Sequence, residues 1–248
     1  MPTKRRSIQI VHYLLRRDRV HMEKVVVSLG GSVLVPGDDD ARYLRDLAAL
    51  LRDVSGRVKL FVVTGGGRIA RYYIETGRGL GIGERTLDEF GIAVTRLNGR
   101  LLAAALSGRA NREPATTYAE AAKLARRHPI VVMAGTRPGH TTDRVSASLA
   151  RFVHAARIVN ATSVAGVYTT DPRKDPNARL LERMTFRDLI DLAGTGHEAA
   201  GPSIVFDPVA ARVVARDRTP LSVVHGRDPD ALRSAILGEP FRGTLVVD

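Results

Sequence analysis

Short apolar runs alternate with amphipathic stretches along this chain, beginning near residue 24. The runs KVVVSL at 24–29 and KLFVVT at 59–64 are apolar at nearly every position and are followed by glycine, which predicts strands buried on both faces. Further strands are predicted at 129–134, 157–161, 220–224 and 243–247. Apolar residues at helical spacing predict helices near 40–53, 68–76, 87–107, 116–127, 143–155, 185–193, 207–217 and 228–236.

Strands that alternate with helices predict an α/β fold, in which a parallel sheet carries helices on both faces. No repeat, linker or low-complexity tract interrupts the pattern, so we expect a single domain over residues 22–248. Sheets of this kind bind ligands beyond the carboxyl ends of their strands. The segments that follow each predicted strand are therefore the places to look for chemistry.

Residues 1–21 form a basic N-terminal extension, with six basic side chains and one acidic one. Ile8, Val11 and Leu15 have roughly helical spacing, so one interpretation is a basic arm for RNA or for a membrane surface. The extension lacks the long apolar core and small-residue cleavage site of a signal peptide. A start codon assigned too early is the other interpretation, since Met22 directly precedes the first predicted strand.

The amino-acid composition excludes several classes of function. The chain has 248 residues, a formal net charge of +12 and no cysteine, which excludes disulfides, thiolate nucleophiles, zinc ribbons and iron–sulfur clusters. The absence of cysteine also makes a cytoplasmic protein the natural expectation. No membrane-spanning helix is expected, because no run of about eighteen apolar residues is present. Aromatic residues are 5% of the chain and tryptophan is absent, so nucleic-acid binding through stacking is not expected. The excess of arginine over lysine suits an anionic substrate, although a GC-rich genome would produce it too.

Glycine-rich segments follow three predicted strands: Gly30-Gly31-Ser32, Gly65-Gly66-Gly67 and 135–142. Glycine lets backbone N–H groups approach a phosphate with no side chain between them. A helix N-terminus after the loop adds partial positive charge. One such segment is weak evidence, but three at one sheet edge predict a phosphate-binding site. None matches the P-loop or the dinucleotide-binding fingerprint.

The third segment, GTRPGHTTD at 135–143, is the richest in functional groups. It supplies three hydroxyls, a guanidinium and an open backbone, from Thr136, Thr141, Thr142, Arg137 and Gly139. Asp143 is either a catalytic acid or only a cap or early-turn acid of the next helix. His140 is interpreted as a loop or phosphate-side donor, because no second histidine or acid has metal-ligand spacing. No protein metal site is therefore predicted.

A fourth segment, YTTDPRKDP at 168–176, contains two Asp-Pro steps that predict turns. Tyr168 is a candidate for contact with a nucleotide base, and Asp171 for contact with its ribose. Lys174 is one of only five lysines. It either neutralises a transferring phosphoryl group or pairs with Asp175.

The sequence segments that follow the predicted strands, taken in their order along the chain, resemble those of the amino-acid-kinase superfamily. Within it they resemble the archaeal uridylate (UMP) kinases. The resemblance rests on GGSVLVP at 30–36, VVTGGGRIARYYI at 62–74, GIAVTRLN at 91–98, GTRPGHTTD at 135–143, GVYTTDPRKDPNA at 166–178 and DPVAARVVAR at 207–216. It implies an amino-acid-kinase-like fold, a three-layer αβα sandwich around a mainly parallel sheet. It also implies ATP as donor, UMP as acceptor, Mg²⁺ with the nucleotide, UDP for pyrimidine biosynthesis and a homohexamer.

Roles carry over from the resemblance residue by residue. ATP would contact Gly31, Ser32, Gly67, Arg71, Thr162, Ser163, Tyr168 and Asp171. UMP would contact Gly66, Asp88, Thr136, Arg137, Pro138, Gly139, His140, Thr141 and Thr142. Asp143 would organise the transfer centre, and Lys174 is the candidate catalytic cation.

Two positions depart from the family pattern. Ser28 stands where many members have lysine, two residues before the paired glycines, and Ala165 stands where a T-N-V-D-G-V-Y run has aspartate. These departures support an alternative in which the scaffold binds or stores a nucleotide or oxyanion without turnover. A second alternative is a superfamily kinase with another acceptor, such as isopentenyl phosphate, acetylglutamate or carbamate.

Overall fold

The computed structural model describes residues 22–37, 39–170, 172, 174–194 and 206–248. The predicted N-terminal extension lies outside the described residues, and so does Asp171. No helix in the described ranges is long and apolar enough to cross a membrane.

Seven strands in the described residues form one sheet. They are β1 (Lys24–Leu29), β2 (Lys59–Thr64), β3 (Ile130–Met133), β4 (Arg157–Thr162), β5 (Arg183–Met184), β6 (Leu221–His225) and β7 (Thr244–Val246). Their order across the sheet is β3-β2-β1-β4-β6-β7-β5. The first five strands of that order are mutually parallel, whereas β7 is antiparallel to β6 and parallel to β5. The predicted mainly parallel sheet is confirmed, with an antiparallel pair at one end.

The same ranges contain nine helices. They are α1 (Gly31–Leu34), α2 (Asp40–Val54), α3 (Gly67–Gly79), α4 (Glu84–Ala105), α5 (Tyr118–Leu124), α6 (Thr142–Val153), α7 (Phe186–Gly194), α8 (Pro208–Asp217) and α9 (Pro229–Leu237). Every predicted helix is present, with its ends displaced by a few residues. The four-residue helix α1 and the two-residue strand β5 were not predicted, because elements this short contain too few residues to show a hydrophobic period.

Alternate residues of the central strands face two separate apolar cores. Val25, Val27 and Leu29 of β1 pack with α2, α9 and the end of α4, whereas Val26 belongs to the core that contains α6 and α8. Each of these four side chains is at most 1% exposed. Burial of both faces explains the unbroken apolar runs of the strands, and it confirms the three-layer αβα sandwich.

Parallel pairing brings the carboxyl ends of four strands to one edge of the sheet. Leu29, the last residue of β1, pairs with Thr64 of β2 and with Ala161 of β4, and Val63 pairs with Met133 of β3. The three glycine-rich segments leave the sheet from neighbouring strands at this edge. They are therefore close enough to act on one ligand.

Candidate active site

The segments after β1 and β2 touch through their backbones. An added Cβ atom on Gly31 would lie 2.2 Å from the backbone nitrogen of Gly67, and one on Gly67 would lie 2.3 Å from the carbonyl carbon of Gly31. Gly67 also has a φ of 65°, in the left-handed region. Only glycine meets both requirements at this position. The contact brings the first turns of α1 and α3 together at the edge of the sheet.

Two side chains of α4 that the sequence analysis did not select hold the glycine-rich segments in place. Asn98 is buried and donates from Nδ2 to the carbonyl of Gly65 at 2.8 Å. Thr95 Oγ1 accepts the N–H of Gly135 at 2.9 Å. The sequence could have indicated Asn98, because it is a polar residue at a position of an amphipathic helix that faces the core. A buried amide there needs hydrogen-bond partners.

A cleft of about 480 Å³ lies between α4 and the segment after β3. The predicted site residues in its walls are Gly66, Gly67, Arg71, Asp88, Arg137, Pro138, Gly139, His140, Thr141 and Thr142. Thr136 is outside the wall. Gly67 and Arg71, which the resemblance assigns to ATP, share this cleft with the residues assigned to UMP.

Charged groups fix the backbone of Gly139 from both sides. Asp88 Oδ2 accepts its N–H at 2.7 Å, and Arg144 Nη1 donates to its carbonyl at 3.3 Å. The φ of Gly139 is 78°, and an added Cβ atom would meet nothing within 4 Å. Glycine is favoured here by the backbone conformation, not by a lack of space. The Asp88 contact ties the segment after β3 to α4 across the cleft.

The hydrogen bonds of His140 assign it a neutral ring. Arg137 donates from Nε to His140 Nε2 at 2.9 Å, so Nε2 acts as an acceptor. Nδ1 then carries the proton and faces the hydroxyl of Thr136 at 3.1 Å. Burial, together with the charges of Arg144 and Arg137, lowers the pKa of His140 below its usual value. At neutral pH the histidine therefore orients Arg137 without adding a charge to the cleft.

Asp143 lies in the first turn of α6 but is not its cap. The cap is Thr141, whose Oγ1 accepts the N–H of Arg144 at 3.1 Å. Asp143 instead contacts two other segments: Oδ1 accepts from Ser28 Oγ at 3.1 Å, and Oδ2 accepts the N–H of Asp207 at 3.3 Å. The carboxyl group therefore joins the ends of β1 and α6 to the start of α8.

The surroundings of Asp143 disfavour its charge. Burial raises the pKa of Asp143 from 3.8 to about 6, although the hydrogen bonds from Ser28 and from the Asp207 backbone oppose this effect. Carboxyl groups whose pKa is shifted toward neutrality by burial cluster at functional sites. Ser28, which donates one of these hydrogen bonds from β1, is itself buried.

Apart from Gly67 and Arg71 in the cleft, the described residues predicted to contact ATP lie in α1 and in and after β4. They are Gly31 and Ser32 in α1, Thr162 at the end of β4, Ser163 and Tyr168. The carbonyl of Thr162 accepts the N–H of Gly226 at 2.8 Å, which links β4 to the segment after β6. Tyr168 forms an antiparallel bridge with Leu180.

Lys174 is exposed in the turn that follows Tyr168. Its alternative partner Asp175 accepts from the N–H of Asn177 at 2.8 Å and from Thr170 Oγ1 at 2.9 Å. These hydrogen bonds lower the pKa of Asp175. Between the described atoms of Lys174 and Asp143 there is no hydrogen bond or ion pair. The two predicted catalytic residues are thus not joined directly.

A larger groove of about 640 Å³ lies between β7 and the segment 238–243. Arg157, Phe241 and Leu245 are among the residues that line it, and none of the predicted site residues is. Two of the three glycine-rich segments, those after β2 and β3, line the smaller cleft, and so does His140 with its shifted pKa. The segment after β1 contacts this cleft through Gly67, and Asp143 adjoins it in sequence. We therefore take the smaller cleft and the adjoining β1–β4 edge as the candidate active site.

A comparison with models of protein families identifies the family of this chain. Residues 23–225 match the amino acid kinase family. The chain belongs to the amino acid kinase family. The match begins directly before β1 and ends with β6, so it contains all of the glycine-rich segments described above.

Several archaeal members of the amino acid kinase family are similar to this chain over most of its length. The uridylate kinase of Methanoculleus marisnigri is 47% identical over 227 residues, which cover 92% of this chain and 97% of that protein. The uridylate kinase of Pyrococcus abyssi is 42% identical over 223 residues, 90% of this chain and 99% of that protein. The crystal structure of uridylate kinase from Archaeoglobus fulgidus matches with a TM-score of 0.81 at 38% identity, covering 91% of this chain and 100% of that one. The resemblance to archaeal uridylate kinases is confirmed.

Proposed function

We propose that this chain is a UMP kinase that transfers the γ-phosphoryl group of ATP to UMP, giving UDP and ADP. The observation that carries the proposal is the cleft between α4 and the segment after β3, which opens beside the Gly31–Gly67 contact. An acceptor in that cleft would lie next to a donor whose phosphates rest on α1. The similarity to proteins named uridylate kinase supports the same reaction. The cytoplasm, which holds both nucleotides, is the expected compartment.

The acceptor requires no general base. A monophosphate oxygen is already a nucleophile at neutral pH, so the enzyme must position it and neutralise charge. Glycine backbone at Gly66 and hydroxyls at Thr141 and Thr142 suit the acceptor phosphate. Arg71 and Arg137 line the same cleft and supply positive charge.

The donor binds in this proposal on the side of β4. Gly31 and Ser32 contact the triphosphate, and the adenosine contacts come from Thr162, Ser163, Tyr168 and Asp171. Gly67 and Arg71 lie between the two substrates, where the phosphoryl group passes. Asp143 orients the transfer centre. Lys174, which is exposed in the turn after Tyr168, supplies the catalytic cation at a site where the resemblance implies a lysine at position 28.

The carboxylate of Asp143 fits a Mg²⁺ ion that arrives with ATP. Mg²⁺ usually binds through one or two carboxylates together with substrate phosphates. Asp207 contacts Asp143 through its backbone N–H, whereas its own carboxylate caps α8 by accepting the N–H of Ala210. Over the described ranges, no group of three or more ligating side chains could hold a metal by itself. Bound with ATP, Mg²⁺ would neutralise phosphate charge, which is the chemistry this site needs.

Acceptor selectivity tests the proposal. We expect kcat/KM with Mg-ATP to be at least about 10²-fold higher for UMP than for CMP, AMP or GMP, because buried polar groups of a site lose their partners with the wrong base. Uracil presents an acceptor at O4 and a donor at N3, and cytosine inverts both. A purine is too large for a pocket built around a pyrimidine.

The four monophosphates are compared in one coupled assay that reports ADP formation. Equal values for UMP and CMP would reduce the assignment to a general nucleotide kinase. Tight nucleotide binding without turnover of any monophosphate would favour the alternative in which the protein binds or stores a nucleotide. Turnover of isopentenyl phosphate, acetylglutamate or carbamate in its place would assign another acceptor.

We also propose that the chain self-associates, as the homohexamer implied by the resemblance requires. Two neighbouring helices, α3 and α4, carry most of the exposed large apolar side chains. These are Ile69, Tyr72 and Tyr73 of α3, Leu80 at its C-cap, and Phe90, Leu97 and Leu101 of α4. In the described part of the chain, the only other such residue is Phe152. An apolar surface concentrated on two packed helices is typical of a protein–protein interface.

A further inference from the structure

Arg227 joins three segments behind α1. Its guanidinium lies over the ring of Tyr43 in α2, 4.4 Å from the ring centroid. Nε donates to the carbonyl of Val33 in α1 at 3.4 Å. Nη2 donates to Asp40 Oδ1, at the start of α2, at 3.2 Å. One side chain from the segment after β6 therefore contacts both α1 and α2.

Tyr43 and Gly226 extend this contact to the end of β4. Tyr43 Oη donates to the carbonyl of Gly226 at 2.9 Å. Burial raises the pKa of Tyr43 well above its usual value, so the hydroxyl keeps its proton. The N–H of Gly226 donates to the carbonyl of Thr162, and an added Cβ atom on Gly226 would lie 2.5 Å from Val33 Cγ1. The helix α1 thus packs directly on the backbone that Tyr43 and Thr162 hold.

The position of α1 depends on these neighbours. It has only four residues, and a single turn is unstable alone because helix nucleation is unfavourable. The N-terminal residue of α1, Gly31, contacts Gly67 through its backbone. The carbonyl of Val33, near the C-terminal end of α1, is a group that an arginine side chain can stabilise. The contact of Gly31 with Gly67 and the hydrogen bond from Arg227 to Val33 together fix the Gly31–Ser32 peptide.

We propose that Arg227 is a positioning residue for the donor triphosphate, which acts through α1 by holding the N–H groups of Gly31 and Ser32 in place. This inference rests on the proposed function, which assigns the ATP phosphates to α1. Loss of Arg227 weakens ATP binding selectively, because the acceptor cleft is held from the other side by α4 through Asn98.

The substitution Arg227→Met tests this. Methionine keeps an apolar stem over Tyr43 and removes the hydrogen bonds to Val33 and Asp40. We expect KM for Mg-ATP to rise about tenfold or more, the scale of losing a charged hydrogen bond, while KM for UMP stays within about twofold. Arg227→Lys keeps the positive charge but loses the planar guanidinium with its several hydrogen-bond donors. This variant should retain part of the ATP affinity that Arg227→Met loses.

Arg233→Met is the matched control. Arg233 lies in α9 and bonds to Asp53 at the opposite end of α2, so it also links the region after β6 to α2, but away from α1. Neither KM should change in this variant. Tyr43→Phe removes only the hydroxyl that bonds to Gly226, and it should raise KM for ATP by less than Arg227→Met does.

Two readouts separate this inference from the proposed function. Wild-type turnover of UMP tests the function, whereas the Kd of a non-hydrolysable ATP analogue, measured by calorimetry, compares the variants even without turnover. An unchanged Kd and KM for the donor in folded Arg227→Met would overturn the inference. An equal rise in both KM values would overturn it too, since that is a general structural effect. If Arg227→Met does not fold, Arg227→Lys and Tyr43→Phe decide the same comparison.

Discussion

At Asp143 the fold holds a carboxyl group where its charge is disfavoured. Its described partners are the Ser28 hydroxyl and the Asp207 N–H, both neutral donors. Burial outweighs them and raises the pKa of Asp143 to about 6. A carboxylate in this state gains interaction energy when a cation or a Mg-nucleotide complex arrives. Ser28 donates a hydrogen bond to this carboxyl group without adding a positive charge.

Replacing Asp143 by asparagine should reduce activity and stabilise the free protein. We expect kcat to fall by about 10²-fold with KM for UMP changed only a few-fold, because an organising acid acts on the transfer step. At pH 7.5 we expect unfolding to cost about 1–2 kcal/mol more than in the wild type. The folded pKa exceeds the unfolded 3.8, so ionisation penalises the native state fully above about pH 6 and not at all below pH 4.

Initial rates and thermal unfolding at pH 7.5 and pH 4 check both parts. The variant should have the higher Tm at pH 7.5 and should lose that advantage at pH 4, where the wild-type carboxyl is protonated. Part of the gain is offset because an amide cannot accept from both Ser28 and Asp207. Wild-type turnover with no pH-dependent difference in Tm would show that Asp143 is only an early-turn residue of α6.

At the scale of elements, the Gly31–Gly67 contact determines how closely α1 and α3 approach. Gly67 and Gly81 offer a matched pair, because both have a left-handed backbone, with φ of 65° and 76°. Around Gly81 an added Cβ atom meets nothing within 4 Å, whereas at Gly67 it meets the backbone of Gly31. Backbone strain is common to both sites, so the difference between them isolates the close contact.

Gly81→Ala should lower the free energy of unfolding by about 1 kcal/mol, the usual cost of alanine in this conformation, and leave kcat unchanged. Gly67→Ala should cost distinctly more and remove most activity, since neither backbone can yield without moving α1 or α3. Chemical denaturation and initial rates compare the two variants. Equal losses of stability with full activity in both would mean that the α1–α3 contact is not needed.

How much of this site the sequence predicts depends on the range of its interactions. Apolar runs and glycine positions are local, so β1, β2 and the gathering of the three glycine-rich segments at one sheet edge follow from them. The Asn98–Gly65 bond spans 33 residues and the Ser28–Asp143 bond spans 115. Both depend on how helices pack on the sheet, which spacing along the chain does not specify. For the same reason the position of α1, set by Arg227 and Gly67, was not predicted.

For the whole molecule, α4 is the element that connects the site to the surface. One side of it bears Asn98 and Thr95, which hold the glycine-rich segments. Leu97 and Leu101 are exposed. A second copy packed on the exposed face would therefore buttress the same helix that shapes the acceptor cleft. Closed symmetric assemblies use such self-complementary patches.

Leu97→Glu tests whether this surface is the interface. Leu97 is 62% exposed, so a carboxylate there is tolerated in the isolated chain but would be buried without a partner in the assembly. Phe152→Glu, at a site 50% exposed on α6, is the matched control. Light scattering after size exclusion should give a multiple of the chain mass for the wild type and for Phe152→Glu, and a smaller mass for Leu97→Glu. A monomeric wild type, or an unchanged mass for Leu97→Glu, would remove α3 and α4 as the assembly surface, and their apolar residues would then need another partner.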